Sequence, residues 1–161
     1  MTWIKTWEAV VEKSWLDELD HVNFLTYQRV ADIASVEIWR RAQGDIEPGA
    51  HLQFVMTETH VRYLHELRLG ASVEIFTALI AWDTKRFQLL HRLESAGNLA
   101  CTVETLNLCF DPVIRRAAPF ATGVSDYFAS LGGPPEDALP ILSISRRPTH
   151  GADPSFPSAR T

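Results

Sequence analysis

The period of the apolar positions changes twice along this chain, and the changes mark out its elements. Residues 6–14 form a short apolar run, with Val10 and Val11 expected in a core, that reads as a strand closed by a polar cluster. Between 24 and 41 the apolar residues Tyr27, Val30, Ala31, Ala34 and Ile38 recur every three to four positions, the helical period, and Arg40, Arg41 and Gln43-Gly44 mark the end. Ile33, Val36 and Trp39 fill the other faces, so this helix is expected to be largely buried. After the turn-rich stretch 44–50 come four segments, 51–66, 71–82, 85–95 and 98–111, rich in Val, Ile, Leu, Phe and Thr and separated by short turn sequences. Both alternating sets of 71–82 are apolar, Val73, Ile75 and Leu79 on one side and Phe76, Ala78 and Ile80 on the other, which predicts a strand covered on both faces. A short helix is expected at 123–131. From Gly132 the chain is rich in Pro, Gly and Ser without periodicity, the pattern of a tail that is partly extended or disordered.

A strand, a long helix and four consecutive strands without crossover helices make an α+β plan: an antiparallel sheet wrapped around one central helix, the hotdog fold. With 161 residues, 46% of them hydrophobic, the chain suits one domain, at 1–131, followed by the tail 132–161. A net charge of −5 argues against a nucleic-acid surface, because neutralising phosphates needs clustered Lys and Arg. No apolar run is long enough to span a membrane, and the N-terminus has no signal-peptide core. Cys101 and Cys109 lie eight positions apart in one strand-like segment, too far for a disulfide, and read as buried free thiols. A cytoplasmic protein is the expectation.

The chemistry concentrates in Ser-Trp-Leu-Asp-Glu-Leu-Asp-His-Val-Asn-Phe-Leu-Thr-Tyr, residues 14–27, where three acids, a histidine and an asparagine precede the helix. A helix start leaves backbone N–H groups unpaired and carries partial positive charge, so it can hold a developing oxyanion. Asp17 on the approach loop would face a carbonyl held there. A carboxylate acting as base or nucleophile beside fixed N–H donors is what acyl transfer requires.

Those residues also carry a resemblance. Trp15, Asp17, His21, Val22, Asn23 and Tyr27 match the W-x-D-x-x-G-H-[MV]-N-x-x-x-Y signature of hotdog acyl-CoA thioesterases of the 4-hydroxybenzoyl-CoA thioesterase type. Downstream, Thr-His-Val-Arg-Tyr-Leu-His-Glu-Leu-Arg-Leu-Gly resembles the family's second-strand segment, Trp-Asp-Thr-Lys-Arg-Phe-Gln-Leu-Leu-His-Arg-Leu its central hairpin, and residues 100–120 its last strand. The chain is similar over about residues 7–130, and the branch it most resembles is that of betainyl-CoA thioesterases. The resemblance implies that Asp17 is the catalytic carboxylate, that a helix-start amide near Asn23 and Phe24 polarises the carbonyl, and that the site lies at a subunit boundary. It departs from the signature at Asp20, where the family has Gly. Asp20 could crowd the thioester or instead cap the helix.

His21 reads either as a capping or surface histidine or as the group that orients the carboxylate or substrate, and Asn23 as an N-cap, a substrate ligand or both. Asp20, Tyr27, His60, Tyr63 and Glu104 are candidates for substrate contact. His60, Tyr63 and His65 alternate across two faces of one strand, so only a subset can reach one pocket. Glu104, on a central strand, must either be paired or line a cavity. Lys85-Arg86 and Arg115-Arg116 are the candidates for the coenzyme A phosphates. Trp15, Trp39 and Trp82 read as core or interface, with an aromatic cage for a cationic acyl group as the alternative. His60 and His65 lack a third ligand at metal spacing, and no metal or bound cofactor is expected, coenzyme A arriving as part of the substrate. A single hotdog sheet leaves a strand edge open, so a homodimer or homotetramer is expected. Competing readings are a non-catalytic acyl-CoA sensor or carrier and a hotdog dehydratase or hydratase.

Overall fold

The computed structural model describes residues 2–44 and 51–145. The turn-rich segment 45–50 and the last part of the tail, 146–161, lie outside them. Strand β1 (Ile4–Val10) leads through a 3-10 turn at Lys13–Trp15 and a short loop into helix α1 (Phe24–Gln43). Then follow β2 (Gln53–Tyr63), β3 (Ser72–Trp82), β4 (Arg86–Ser95), β5 (Asn98–Asp111), the two-residue β6 (Arg116–Ala117) and helix α2 (Thr122–Ser130). The strands form one antiparallel sheet in the order β1-β3-β4-β5-β2, with β6 paired to β5. This is the hotdog architecture.

Strand alternation sorts side chains between two faces. Phe87, Leu89 and Leu93 of β4 and Cys101, Val103 and Cys109 of β5 enter the core against α1. Their neighbours Gln88, Leu90, Arg92, Thr102 and Glu104 therefore occupy the outer face. On α1 the buried stripe is Tyr27, Val30, Ala31, Ala34, Ser35, Ile38, Trp39 and Ala42, the three-to-four spacing of one helix face. Ile33 and Val36 are 37% and 50% exposed, so the helix is amphipathic rather than buried all round. Val10, expected in the core, is 56% exposed, while Val11, just past the strand, is buried.

The core has two lobes. Around the start of α1 it is aliphatic, and around its end it is aromatic, with Trp39 stacked on Phe87 at 5.7 Å between ring centres and Phe128 of α2 closing the lobe. Between them runs a buried polar chain. The His91 ring bonds Ser35 Oγ through Nε2 at 3.0 Å and Thr77 Oγ1 through Nδ1 at 2.8 Å, and Thr77 meets Thr6 Oγ1 at 2.9 Å. Burial holds the imidazole's pKa down at about 3, so it is a neutral core residue. Cys101 and Cys109 are free, and burial pushes their thiols up to about 12 and 11.

The first part of the tail, 133–145, has no regular secondary structure, yet it is bound. It crosses the outer face of its own sheet as a strap: Asp137 accepts from Trp3 Nε1 at 2.8 Å and Arg92 Nη1 at 2.7 Å. The backbone N–H groups of Ile141 and Leu142 donate to Glu104 Oε2 and Oε1 at 2.8 and 2.9 Å, and Gln88 Nε2 donates to Leu142 O at 3.0 Å.

Candidate active site

The loop between the 3-10 turn and α1 folds as a small antiparallel ribbon. Leu16 bridges Val22, Asp17 N–H donates to His21 O at 2.9 Å, and Asn23 N–H donates to Trp15 O at 2.8 Å. At the ribbon's tip Asp20 N–H returns to Asp17 O at 3.2 Å, which places Asp20 at φ +61°. That left-handed conformation explains why glycine suits this position and why aspartate, which tolerates it better than most residues, can replace it. The Asp20 side chain is exposed. It does not cap the helix: Asn23 does, its Oδ1 accepting from Leu25 N–H at 2.9 Å.

The ribbon is anchored on both sides. Trp15 stacks on Trp7 of β1 at 5.9 Å, a core role, and Val22 N–H donates to Leu67 O at 2.8 Å, tying it to the segment after β2. Within this frame Asp17 Oδ1 accepts from Leu19 N–H at 2.8 Å and lies 3.4 Å from His21 Nδ1. Asp17 Oδ2 has no partner among the described residues. The other His21 nitrogen, Nε2, lies 3.6 Å from Glu66 Oε2, and Glu66 in turn pairs with Arg68 at 2.5 Å. Glu66 is the residue that sequence reasoning missed. Nothing in its spacing distinguishes it, since only the Val22–Leu67 link brings the segment after β2 to the loop.

Among the first helical donors, Leu25 N–H is taken by the Asn23 side chain and Thr26 N–H by Asn23 O. Phe24 N–H has no acceptor among the described residues, which narrows the expected polarising amide to Phe24, because that of Asn23 is spent on Trp15 O. Tyr63 reaches the same helix end: its hydroxyl donates to Phe24 O at 3.1 Å and its ring meets Tyr27 edge-on at 5.5 Å. Burial pushes both phenols up, so each stays a protonated hydroxyl. Asp17, Glu18, Leu19 and Asn23 line a shallow open depression at this point. Two of these four residues are acidic, Asp20 follows in the same loop, and Glu66 approaches through His21.

Two of the expected substrate contacts do not reach it. His60 and Glu104 are register partners on β2 and β5 and face outward, on the side of the sheet away from α1. Glu104 is 2% exposed and spends its carboxylate on the strap and on Gln88 Nε2, 2.6 Å away, rather than lining the Asp17 site. The basic turns also lie elsewhere in the chain. Lys85 and Arg86 sit in the β3–β4 turn, where Asp83 accepts from both backbone amides and from Arg86 Nε. Arg115, at φ +54°, ends the β5–β6 turn and Arg116 opens β6, both exposed, and Cys109 N–H donates to Lys85 O at 2.7 Å, so both turns share one end of the sheet. That end adjoins the C-terminal half of α1, opposite Asp17. Trp39 is core, and Trp82 packs on Phe128 at 5.9 Å, so neither contributes to a cage at this site.

A model of the thioesterase-like superfamily matches residues 11–128. The betainyl-CoA thioesterase of Pseudomonas aeruginosa is 30% identical over 123 residues, 73% of this chain and 76% of that protein. The L-carnitine dehydrogenase/betainyl-CoA thioesterase of Agrobacterium fabrum is 28% identical over 136 residues, 83% of this chain; this chain thus spans about 28% of that longer relative. Among solved structures, a Staphylococcus aureus protein in complex with CoA superposes with a TM-score of 0.77 at 20% identity, covering 88% of this chain and 92% of that one.

Proposed function

The chain belongs to the thioesterase-like superfamily, and from that premise we propose that it is an acyl-CoA thioesterase, releasing coenzyme A and a free acid from a small or medium acyl-CoA. The observation that carries the reading is the division of labour at the start of α1. One oxygen of Asp17 is fixed by Leu19 N–H, and among the described residues the other has no partner and the Phe24 N–H at the positive end of the helix has no acceptor.

The thioester oxygen rests on Phe24 N–H, where charge accumulates as the carbonyl carbon is attacked. Asp17 Oδ2 either takes the proton of the attacking water or attacks directly and is then hydrolysed. In both routes the carbon–sulfur bond breaks, a carbon–oxygen bond replaces it, and the thiolate leaves to be protonated. His21 holds the carboxylate in place. No group beyond the coenzyme A of the substrate is needed.

The acid-rich rim favours a cationic acyl group. Asp17, Glu18, Asp20 and Glu66 would attract a quaternary ammonium and repel a second carboxylate. The names of both curated relatives agree with a betainyl substrate.

A homodimer completes the site. Helix α1 has 20 residues, hence a length of about 30 Å, and separates Asp17 from the basic turns of its own chain. Among the described residues no strand pairs with the outer edge of β2, and Val55 and Met56 are exposed on that strand. Two-fold antiparallel pairing of β2 edges sets the far end of one subunit beside the Asp17 end of the other, which would bring Lys85 and Arg115 toward the coenzyme A phosphates. The two buried free cysteines suit a reducing, cytoplasmic setting.

The test is coenzyme A release, read with a thiol-reactive dye, from betainyl, aromatic and straight-chain acyl-CoAs, with wild type beside Asp17→Asn. The raised thiols of Cys101 and Cys109 keep the protein's own background low. Release that collapses in the variant supports the reading. A wild type that binds acyl-CoA and releases nothing overturns it in favour of a carrier.

A further inference from the structure

A cavity of about 270 Å³ lies between the strap and the outer face of the sheet, and it shares no residue with the Asp17 depression. It is built, because the strap that roofs it is held by Glu104 and Asp137. Among the described residues those two are the acidic side chains that line it, and both are already engaged. Glu104 accepts from Gln88 Nε2, Ile141 N–H and Leu142 N–H, and Asp137 from Trp3 Nε1 and Arg92 Nη1.

The donors divide. Arg92 is engaged, through Nη1 to Asp137 at 2.7 Å and through Nη2 to Glu94 at 2.9 Å, with its guanidinium over the Trp3 ring at 5.0 Å. The side chains of Arg62 and His60, also lining the cavity, make no hydrogen bond or ion pair among the described residues. A wall whose acidic side chains are engaged and which still presents an unpaired guanidinium is matched by an acceptor, and a guanidinium matches a carboxylate best. The rest of the lining is apolar: Leu64, Leu90 and Leu99, with Leu139 and Ile141 from the strap.

We propose that this cavity is a second ligand site, for a small amphipathic carboxylate whose charged end meets Arg62, beside His60, and whose apolar body lies against Leu90 and Leu99 beneath the strap. The volume, at the lower end for ligand sites, sets the size at a short-chain or single-ring acid. The site is independent of the hydrolytic reading and would persist if that reading failed.

Calorimetric titration of the full chain with octanoate, octanamide and octylammonium tests it. Octanoate should bind at least about tenfold more tightly than either analogue, the loss expected when a charge-assisted hydrogen bond is removed. Arg62→Ala should weaken octanoate by about the same factor. Leu139→Asp, a change at a position that is 79% exposed and so safe for folding, should weaken it too by placing a like charge over the site. Asp17→Asn should leave it unchanged, and the Trp3 indole N–H resonance should move on binding. Equal affinity for octanoate and octanamide, full affinity in Arg62→Ala, loss of binding in Asp17→Asn, or no saturable binding at millimolar concentration would overturn the proposal.

Discussion

His21 Nδ1 lies 3.4 Å from Asp17 Oδ1, and the backbone of the same two residues is joined by Asp17 N–H donating to His21 O at 2.9 Å. The imidazole is therefore positioned against the carboxylate by the ribbon that presents it. Replacing it with a side chain that cannot make the contact frees the carboxylate without unmaking the loop. His21→Ala should lower kcat by about 10- to 100-fold, part of the 10²–10⁴ that a positioned base contributes, with KM little changed. Steady-state kinetics on the best acyl-CoA checks this, and a change confined to KM would place His21 in substrate binding instead.

Asp20 sets a separate expectation, because its demand is on the backbone. At φ +61° a glycine carries no Cβ penalty, while a β-branched residue meets the full cost of about 1–2 kcal/mol. Asp20→Gly should be neutral or stabilising by up to about 1 kcal/mol, whereas Asp20→Val should lose about 2 kcal/mol. Urea denaturation distinguishes the pair. Destabilisation by glycine would mean that the aspartate side chain has a role that its exposure does not reveal.

The loop could be read from sequence because its geometry is local. The N-cap, the turn and the spacing from Asp17 to Asn23 are fixed within seven residues, and the motif lies in one stretch. The long helix and the strand series were legible for the same reason, each being a run of one period. Face and partner were not. Alternation showed that His60 and Tyr63 belong to opposite sides of β2 without showing which side meets α1, and it is Tyr63 that reaches the start of the helix. Glu66 and Glu104 depend on contacts with sequence separations of 45 and 37, Glu66 to His21 and Glu104 to Ile141, which no local pattern encodes. The strap was hidden because a segment bound through its backbone and a single aspartate has the composition of a disordered tail.

That strap provides the next test. Glu104 receives two backbone N–H groups and a Gln88 amide on two carboxylate oxygens. Glu104→Gln keeps the shape but turns one acceptor into a donor facing donors. The cost of the mismatch should be about 1–3 kcal/mol. Hydrogen exchange should show the Ile141 and Leu142 amides losing protection while the β5 amides keep theirs. Uniform loss across the sheet would instead mark Glu104 as a determinant of the whole fold.

The last expectation follows from His91, whose surroundings offer it only hydroxyls. Burial lowers its pKa from 6.5 to about 3, so the folded protein holds it neutral where the unfolded chain protonates it. Above the unfolded value the two states bind the same number of protons at this site, and no stability depends on it. As pH falls below 6.5 the unfolded chain gains a proton that the folded chain refuses, and stability drops by about 1.4 kcal/mol per unit until the folded pKa is reached. At pH 5 the loss should be about 2 kcal/mol relative to pH 7.5. His91→Gln, which can still bond Ser35 and Thr77, should be less stable at neutral pH yet lack this component, so the two proteins' stabilities should converge between pH 7.5 and 5 in urea titrations. Parallel curves would show that the ring takes up its proton without unfolding, through an opening of the Ser35–Thr77 gap that the packed core does not display.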